Sequence, residues 1–196
     1  MKFLPLIIIV FTSLHCAKGG SSSIVGDPNL AFTWESDCIT EGGRNFILTL
    51  ENTGKESKRT KAFFYDDKCE SASDTDIWST QYALGDKFVN AQDVFRINFT
   101  IKKAEKIYTN DAEINTANTS SAYGYDDWSA DESKDVTGKK YASTGSDAQP
   151  DEGQIEYQIF QVADDILTLG DMSLAEGTSE ETRPKKLSTL LILHKQ

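Results

Sequence analysis

The run Val94-Phe95-Arg96-Ile97-Asn98-Phe99-Thr100-Ile101 constrains this chain more than any other segment. Phe95, Ile97, Phe99 and Ile101 fall on one side of an extended backbone, and Arg96, Asn98 and Thr100 on the other. That period of two predicts a β-strand with one buried and one wet face. Residues 154–162 behave similarly: Ile155, Tyr157 and Ile159 alternate, and Phe160 and Val162 then continue out of step, which predicts a β-bulge. Weaker strand patterns cover 30–36, 45–51, 60–65, 77–84, 166–169 and 187–193. Turn signals separate them, among them Glu41-Gly-Gly43, Asn52-Thr-Gly54 and Ala163-Asp-Asp165. No long segment keeps a helical period. The expectation is an all-β protein with about eight antiparallel strands, closed as a single barrel or stacked as a β-sandwich.

Residues 110–153 break the pattern. They are polar, acidic and poor in aliphatic side chains, yet they hold Tyr123, Tyr125 and Trp128. At about 40 residues the segment far exceeds a hairpin loop of 2–5. Its three aromatics predict partial order, with the excursion packed on the barrel.

The first residues set the compartment. Lys2 precedes a short apolar run ending near Leu14, followed by Cys16 and the stretch Gly19-Gly-Ser-Ser-Ser23. The run is too short to span a bilayer and reads as an export signal over 1–16, with a flexible tether over 17–29 and the barrel domain over 30–196. Ser13-Leu14-His15-Cys16 resembles a bacterial lipoprotein box, in which Cys16 is acylated and anchors the chain to a membrane. An ordinary cleavage after Gly19 is the alternative. Either way the protein is exported, to a bacterial periplasm or outer membrane or to the medium. Cys38 and Cys69 then form an even pair in a compartment that allows a disulfide, worth roughly 3–4 kcal/mol in the chain-entropy model.

The formal net charge of −11 repels the phosphate backbone, so no nucleic-acid partner is expected. Catalytic chemistry finds little support. His194 is the one histidine after the leader and reads as an exposed terminal residue. The pairs Asp66-Asp67, Asp126-Asp127, Asp164-Asp165 and Glu180-Glu181 read as solvated turns, since neighbours on a strand face opposite sides. The acids from Asp126 to Asp135 lack calcium-loop spacing. The sequons at Asn98 and Asn118 matter only in a eukaryotic secretory host. No enzyme activity, cofactor or metal is expected. The aromatics on the strands read as barrel core, with a subset lining a ligand pocket.

The pieces Trp34-Glu-Ser-Asp-Cys38, Ala62-Phe-Phe-Tyr-Asp-Asp-Lys-Cys69, Tyr82-Ala-Leu-Gly85, Ile166-Leu-Thr-Leu-Gly-Asp171 and Thr182-Arg-Pro-Lys-Lys-Leu187 together resemble small exported bacterial lipoproteins with a lipocalin-like barrel. The resemblance covers about half of the chain after the leader and lacks the Gly-x-Trp signature of lipocalins. It implies a lipocalin-like barrel whose end is closed by Trp34 and Arg183 in a cation–π contact. The expected function is non-catalytic: a small hydrophobic or amphipathic ligand held in the barrel mouth by Phe95 and Phe99, with Tyr123, Tyr125 and Trp128 as rim. One alternative is a filled barrel that contacts another envelope protein through the acidic excursion. The weaker alternative is a carboxylate-dependent hydrolase, with Arg96 beside an inward-facing acid.

Overall fold

A computed structural model describes residues 30–88, 93–141, 148–172 and 177–196. The predicted leader, Cys16 and the tether over 17–29 lie outside the described residues. The strands are β1 (Thr33–Ser36), β2 (Ile39–Glu41), β3 (Arg44–Thr53), β4 (Glu56–Phe64), β5 (Ala72–Lys87), β6 (Phe95–Tyr108), β7 (Ser133–Asp135), β8 (Ile155–Ala163), β9 (Ile166–Gly170) and β10 (Leu187–Lys195). They run β1–β10–β9–β8–β6–β5–β4–β3, and β1 also pairs with β3, closing an eight-stranded antiparallel barrel. Closure satisfies the backbone around the ring, and the sandwich alternative falls. β2 and β7 lie outside the ring, on β3 and β6.

Alternation places the core. Phe46 and Leu50 of β3, Tyr82 of β5, Ile97 and Phe99 of β6, and Phe160 of β8 are buried in one cluster that fills one end of the barrel. Trp34 joins them from β1, its indole N–H donating to the carbonyl of Leu30 at 3.4 Å. The β3–β4 hairpin turns at Gly54, whose φ of +62° suits glycine, and the Tyr82 hydroxyl donates to its carbonyl at 2.6 Å. The disulfide Cys38–Cys69 ties the approach to β2 to the β4–β5 connection, 31 positions on. In that connection the Asp66 carboxylate accepts from the backbone N–H groups of Lys68, Glu70 and Ser71.

β5 and β6 outrun their neighbours, at 16 and 14 residues. A register shift between Ser79 and Thr80 leaves Lys102 of β6 unpaired, so Phe95, Ile97, Phe99 and Ile101 and then Ala104, Lys106 and Tyr108 all face inward. The free edge of β6 is shared: β8 pairs with Phe95 to Thr100, and β7 pairs with Glu105 to Ile107. The 110–153 excursion connects those two pairings. It opens with helix α1 (Asp111–Ser120), which no hydrophobic period announced because only Ile114 and Ala117 are buried. The helix has a sound local start: the Asn110 side chain accepts from Ala112 N at 2.8 Å, with Asp111 and Glu113 in the first turn. A one-turn 3-10 helix over Ala122–Gly124 follows. The excursion folds back on the inner face of the β5–β6 extension and builds a second core from Ala104, Tyr108, Ile114, Tyr123, Trp128 and Val136.

Two expectations are corrected. β8 carries no bulge at Phe160, because its register runs unbroken from Ile155 to Phe160 against β6 and on against β9. Its inward residues are Glu156, Gln158, Phe160 and Val162, the reverse of the apolar set Ile155, Tyr157 and Ile159. Ile159 is buried on the outer face, where the 177–184 segment runs beside β8 and Tyr157 N donates to the Gly177 carbonyl at 2.7 Å. Arg183 does not stack on Trp34. Its guanidinium is buried over Tyr157, 5.1 Å from the ring centroid, and donates to the carbonyls of Ile97 and Gln158, to Asn98 Oδ1 and to Glu180. A buried guanidinium needs several acceptors, and these four groups supply them beside Tyr157.

Candidate binding site

On β4, Arg59 and Lys61 share a face with the buried Phe63, so the alternation that buries Phe63 also carries both cations into the barrel. β5 sends Asp74, Asp76 and Trp78 inward beside them. The register sets Lys61 opposite Asp76, Asp76 opposite Lys106, and Arg59 opposite Trp78. β8 contributes Glu156 and Gln158 from the far side. A belt of charge thus crosses the barrel above its apolar end.

Two parts of the belt are neutralised internally. Lys106 donates to Asp74 and, at 2.8 Å, to Asp76, and Arg44 reaches Asp74 at 2.9 and 3.1 Å. Burial alone would raise the Asp74 pKa, but Lys106, with the Ser73 hydroxyl and Arg44, holds it below the usual carboxylate range. Burial likewise opposes the Lys106 charge, and Asp76 and Asp74 outweigh it, so the ammonium is held above the usual lysine range. Arg59 and Glu156 form the second neutral unit, with parallel bonds of 2.7 and 2.6 Å. The Arg59 guanidinium also lies 4.8 Å from the Trp78 ring centroid.

Lys61 is different. Its ammonium sits 3.7 Å from the Phe46 ring centroid and forms no ion pair among the described residues. Burial pushes its pKa below the usual lysine range; Glu41 and Asp76 act against that shift, Arg59 and Arg44 with it. It faces a cavity of about 210 Å³ inside the barrel. Leu48, Leu169, Leu191 and Met172 supply apolar wall, and Arg59, Glu156 and Gln158 supply polar wall. Trp78 separates this cavity from the second core, and its indole N–H donates to Gln149 at 3.3 Å. Beyond the Lys106 cluster, a cleft of about 410 Å³ opens between the barrel and the excursion.

The residues predicted to bind ligand are distributed otherwise. Phe99 packs on Tyr82 at 6.4 Å and Phe95 on Phe160 at 5.8 Å, both within the apolar end and neither lining the cavity. Tyr125 and Trp128 belong to the second core, with the Trp128 indole donating to the Ala122 carbonyl. Tyr123 packs there too and lines the outer cleft. Arg96 points to the outer face, 3.6 Å from the exposed Glu180, away from the inward acids. Asn98 is engaged by Arg183, and Asn118 exchanges hydrogen bonds with the Trp128 backbone. Arg59 and Lys61 were missed because β4 is polar on both faces, and only the parity they share with Phe63 betrays their direction; Asp74, Lys106 and Glu156 lie on other strands and join them only through the register of the folded barrel. Compared with protein-family models and with curated proteins, the chain matches none.

Proposed function

We propose that this protein is an exported, non-catalytic binding module that holds one small amphipathic molecule inside the barrel. The observation that carries this reading is Lys61, an ammonium that forms no ion pair among the described residues, at the wall of a largely apolar cavity. A half-buried cation against an apolar wall gains from a compensating anion. A ligand with an apolar body and an anionic head supplies it: the body lies against Leu48, Leu169 and Leu191, and the head meets Lys61. The 210 Å³ volume suits a short-chain ligand, since pockets for drug-sized molecules run from about 300 Å³ upward. The Cys38–Cys69 bond fits an oxidising compartment, in keeping with a leader over 1–16 and with a lipid anchor on Cys16. The resemblance to lipocalin-like lipoproteins points the same way.

The test is a titration followed by Trp fluorescence, using octanoate and octanol as probes that share a chain and differ in the head group. Octanoate should bind saturably and more tightly than octanol, and Lys61→Met should abolish that preference. Equal affinity for the two probes, or no saturable binding by either, overturns the reading. Native mass spectrometry of protein purified from its own source should then show a co-purifying mass of the same class.

A further inference from the structure

The cleft of about 410 Å³ between the barrel and the excursion is separate from the cavity beneath Lys61 and has a different chemistry. Its charged residues are already matched. Arg44 and Lys106 converge on Asp74, and Glu113 accepts from the Tyr65 hydroxyl at 3.0 Å. Two cations and two carboxylates line it, so neither an anion nor a cation finds an uncompensated charge there.

What remains unmatched is neutral. The Tyr108 residue is only 4% exposed and lines the cleft, yet its hydroxyl has no hydrogen-bond partner among the described residues. Burial, followed by the neighbouring Tyr123 and Tyr141 phenols, pushes its pKa up, which keeps it a proton donor. The ring is buried while the hydroxyl opens into the cleft, where it can both donate and accept. The Tyr141 hydroxyl in the same wall is also without a partner among the described residues. Asn45 uses its carbonyl to accept from Thr40 and keeps its amide N–H groups for the cleft. At the rim, the Tyr65 ring is 52% exposed and offers an apolar face.

We infer that this cleft is a second binding site, for a neutral polyhydroxylated ring: a monosaccharide or a short oligosaccharide. Sugar hydroxyls both donate and accept, so they satisfy the Tyr108 and Tyr141 hydroxyls and the Asn45 amide together. The C–H face of the ring covers Tyr65. The inference is independent of the Lys61 cavity, whose ligand is anionic and apolar.

Saturation-transfer NMR tests it, with glucose, galactose, N-acetylglucosamine and cellobiose as probes and tetramethylammonium and phosphate as charged competitors. At least one sugar should bind saturably with Kd of about 10 mM or tighter. Tyr108→Phe should weaken that binding about 10-fold, as expected for one lost hydrogen bond. Tyr65→Ala should weaken it comparably, and Lys61→Met should leave it unchanged. Tyr108→Phe removes a hydroxyl that has no hydrogen-bond partner among the described residues, so the fold is retained and a thermal melt verifies this. Absence of saturable sugar binding overturns the inference. So does binding that both tyrosine variants leave intact, or saturation by tetramethylammonium or phosphate in place of the sugars.

Discussion

Arg59 and Glu156, 97 positions apart in the chain, meet inside the barrel through two parallel hydrogen bonds of 2.7 and 2.6 Å. The pair joins β4 to β8 across the interior, and each side chain keeps only about a fifth of its surface exposed. Burial alone would raise the Glu156 pKa, but Arg59 holds it below the usual carboxylate range. Removing one partner strands the other charge. Glu156→Gln should therefore cost about 2–3 kcal/mol, below the 3–5 kcal/mol of a fully buried pair because residual exposure screens the charge. The double variant Arg59→Met, Glu156→Leu should recover most of that loss. Urea unfolding measures both, and a Glu156→Gln loss under about 0.5 kcal/mol would remove the pair from the forces that hold the barrel closed.

The disulfide closes a loop between residues separated by 31 positions. In the chain-entropy model that restrains the unfolded chain by roughly 3–4 kcal/mol. Cys38→Ser with Cys69→Ser should lower the melting temperature by at least several degrees. Strong reductant should bring the wild type to the same value. An unchanged melt in reductant, with the free thiols confirmed by alkylation, would show that the bond contributes nothing.

Asp74 and Glu156 both have folded pKa values held down by cations, Asp74 against its burial by Lys106, Ser73 and Arg44. A depressed carboxylate pKa contributes stability that is complete above the unfolded value, near 3.9 for Asp and 4.3 for Glu, and is lost as pH falls through the folded value. Lys106 is raised against its own burial by Asp76 and Asp74, so its contribution is complete below about pH 10.4 and is lost as pH rises through its folded value. The difference in melting temperature between wild type and Asp74→Asn should hold steady from about pH 5 to 9 and shrink below about pH 4. A difference that instead grew on acidification would contradict the ion cluster.

Strand positions were legible because apolar alternation is a local property: the eight predicted segments all lie on ring strands of the barrel. Direction was legible only where one face is apolar, as in Phe95 to Ile101. In β8 both faces carry large side chains, and Ile159 is buried on the outside by the 177–184 segment, a contact that depends on distant residues. The same ambiguity hid the site. Ser57, Arg59 and Lys61 alternate with Lys58 and Thr60, so polarity alone sets no inward face. Helix α1 escaped for the opposite reason: its stability comes from its cap and from two buried side chains, while its composition reads as loop.

The Trp128 ring lies 4.8 Å from Tyr108 and 5.4 Å from Tyr125, each edge to face, and is 3% exposed. It is the largest side chain of the second core, and Lys134 of β7 reaches its ring at 5.4 Å while donating to Asp127. Truncating a buried Trp costs about 3–5 kcal/mol. The apolar end of the barrel shares none of these residues, since its cluster runs through Trp34, Phe99 and Phe160. Trp128→Ala should therefore release the excursion before it opens the ring. Limited proteolysis should cut the variant between α1 and β8 while a protected core retains its far-ultraviolet β signal. Phe99→Ala, by contrast, should lower the stability of barrel and excursion together. Loss of the whole β signal in Trp128→Ala under native conditions would show instead that the two cores fold as one unit.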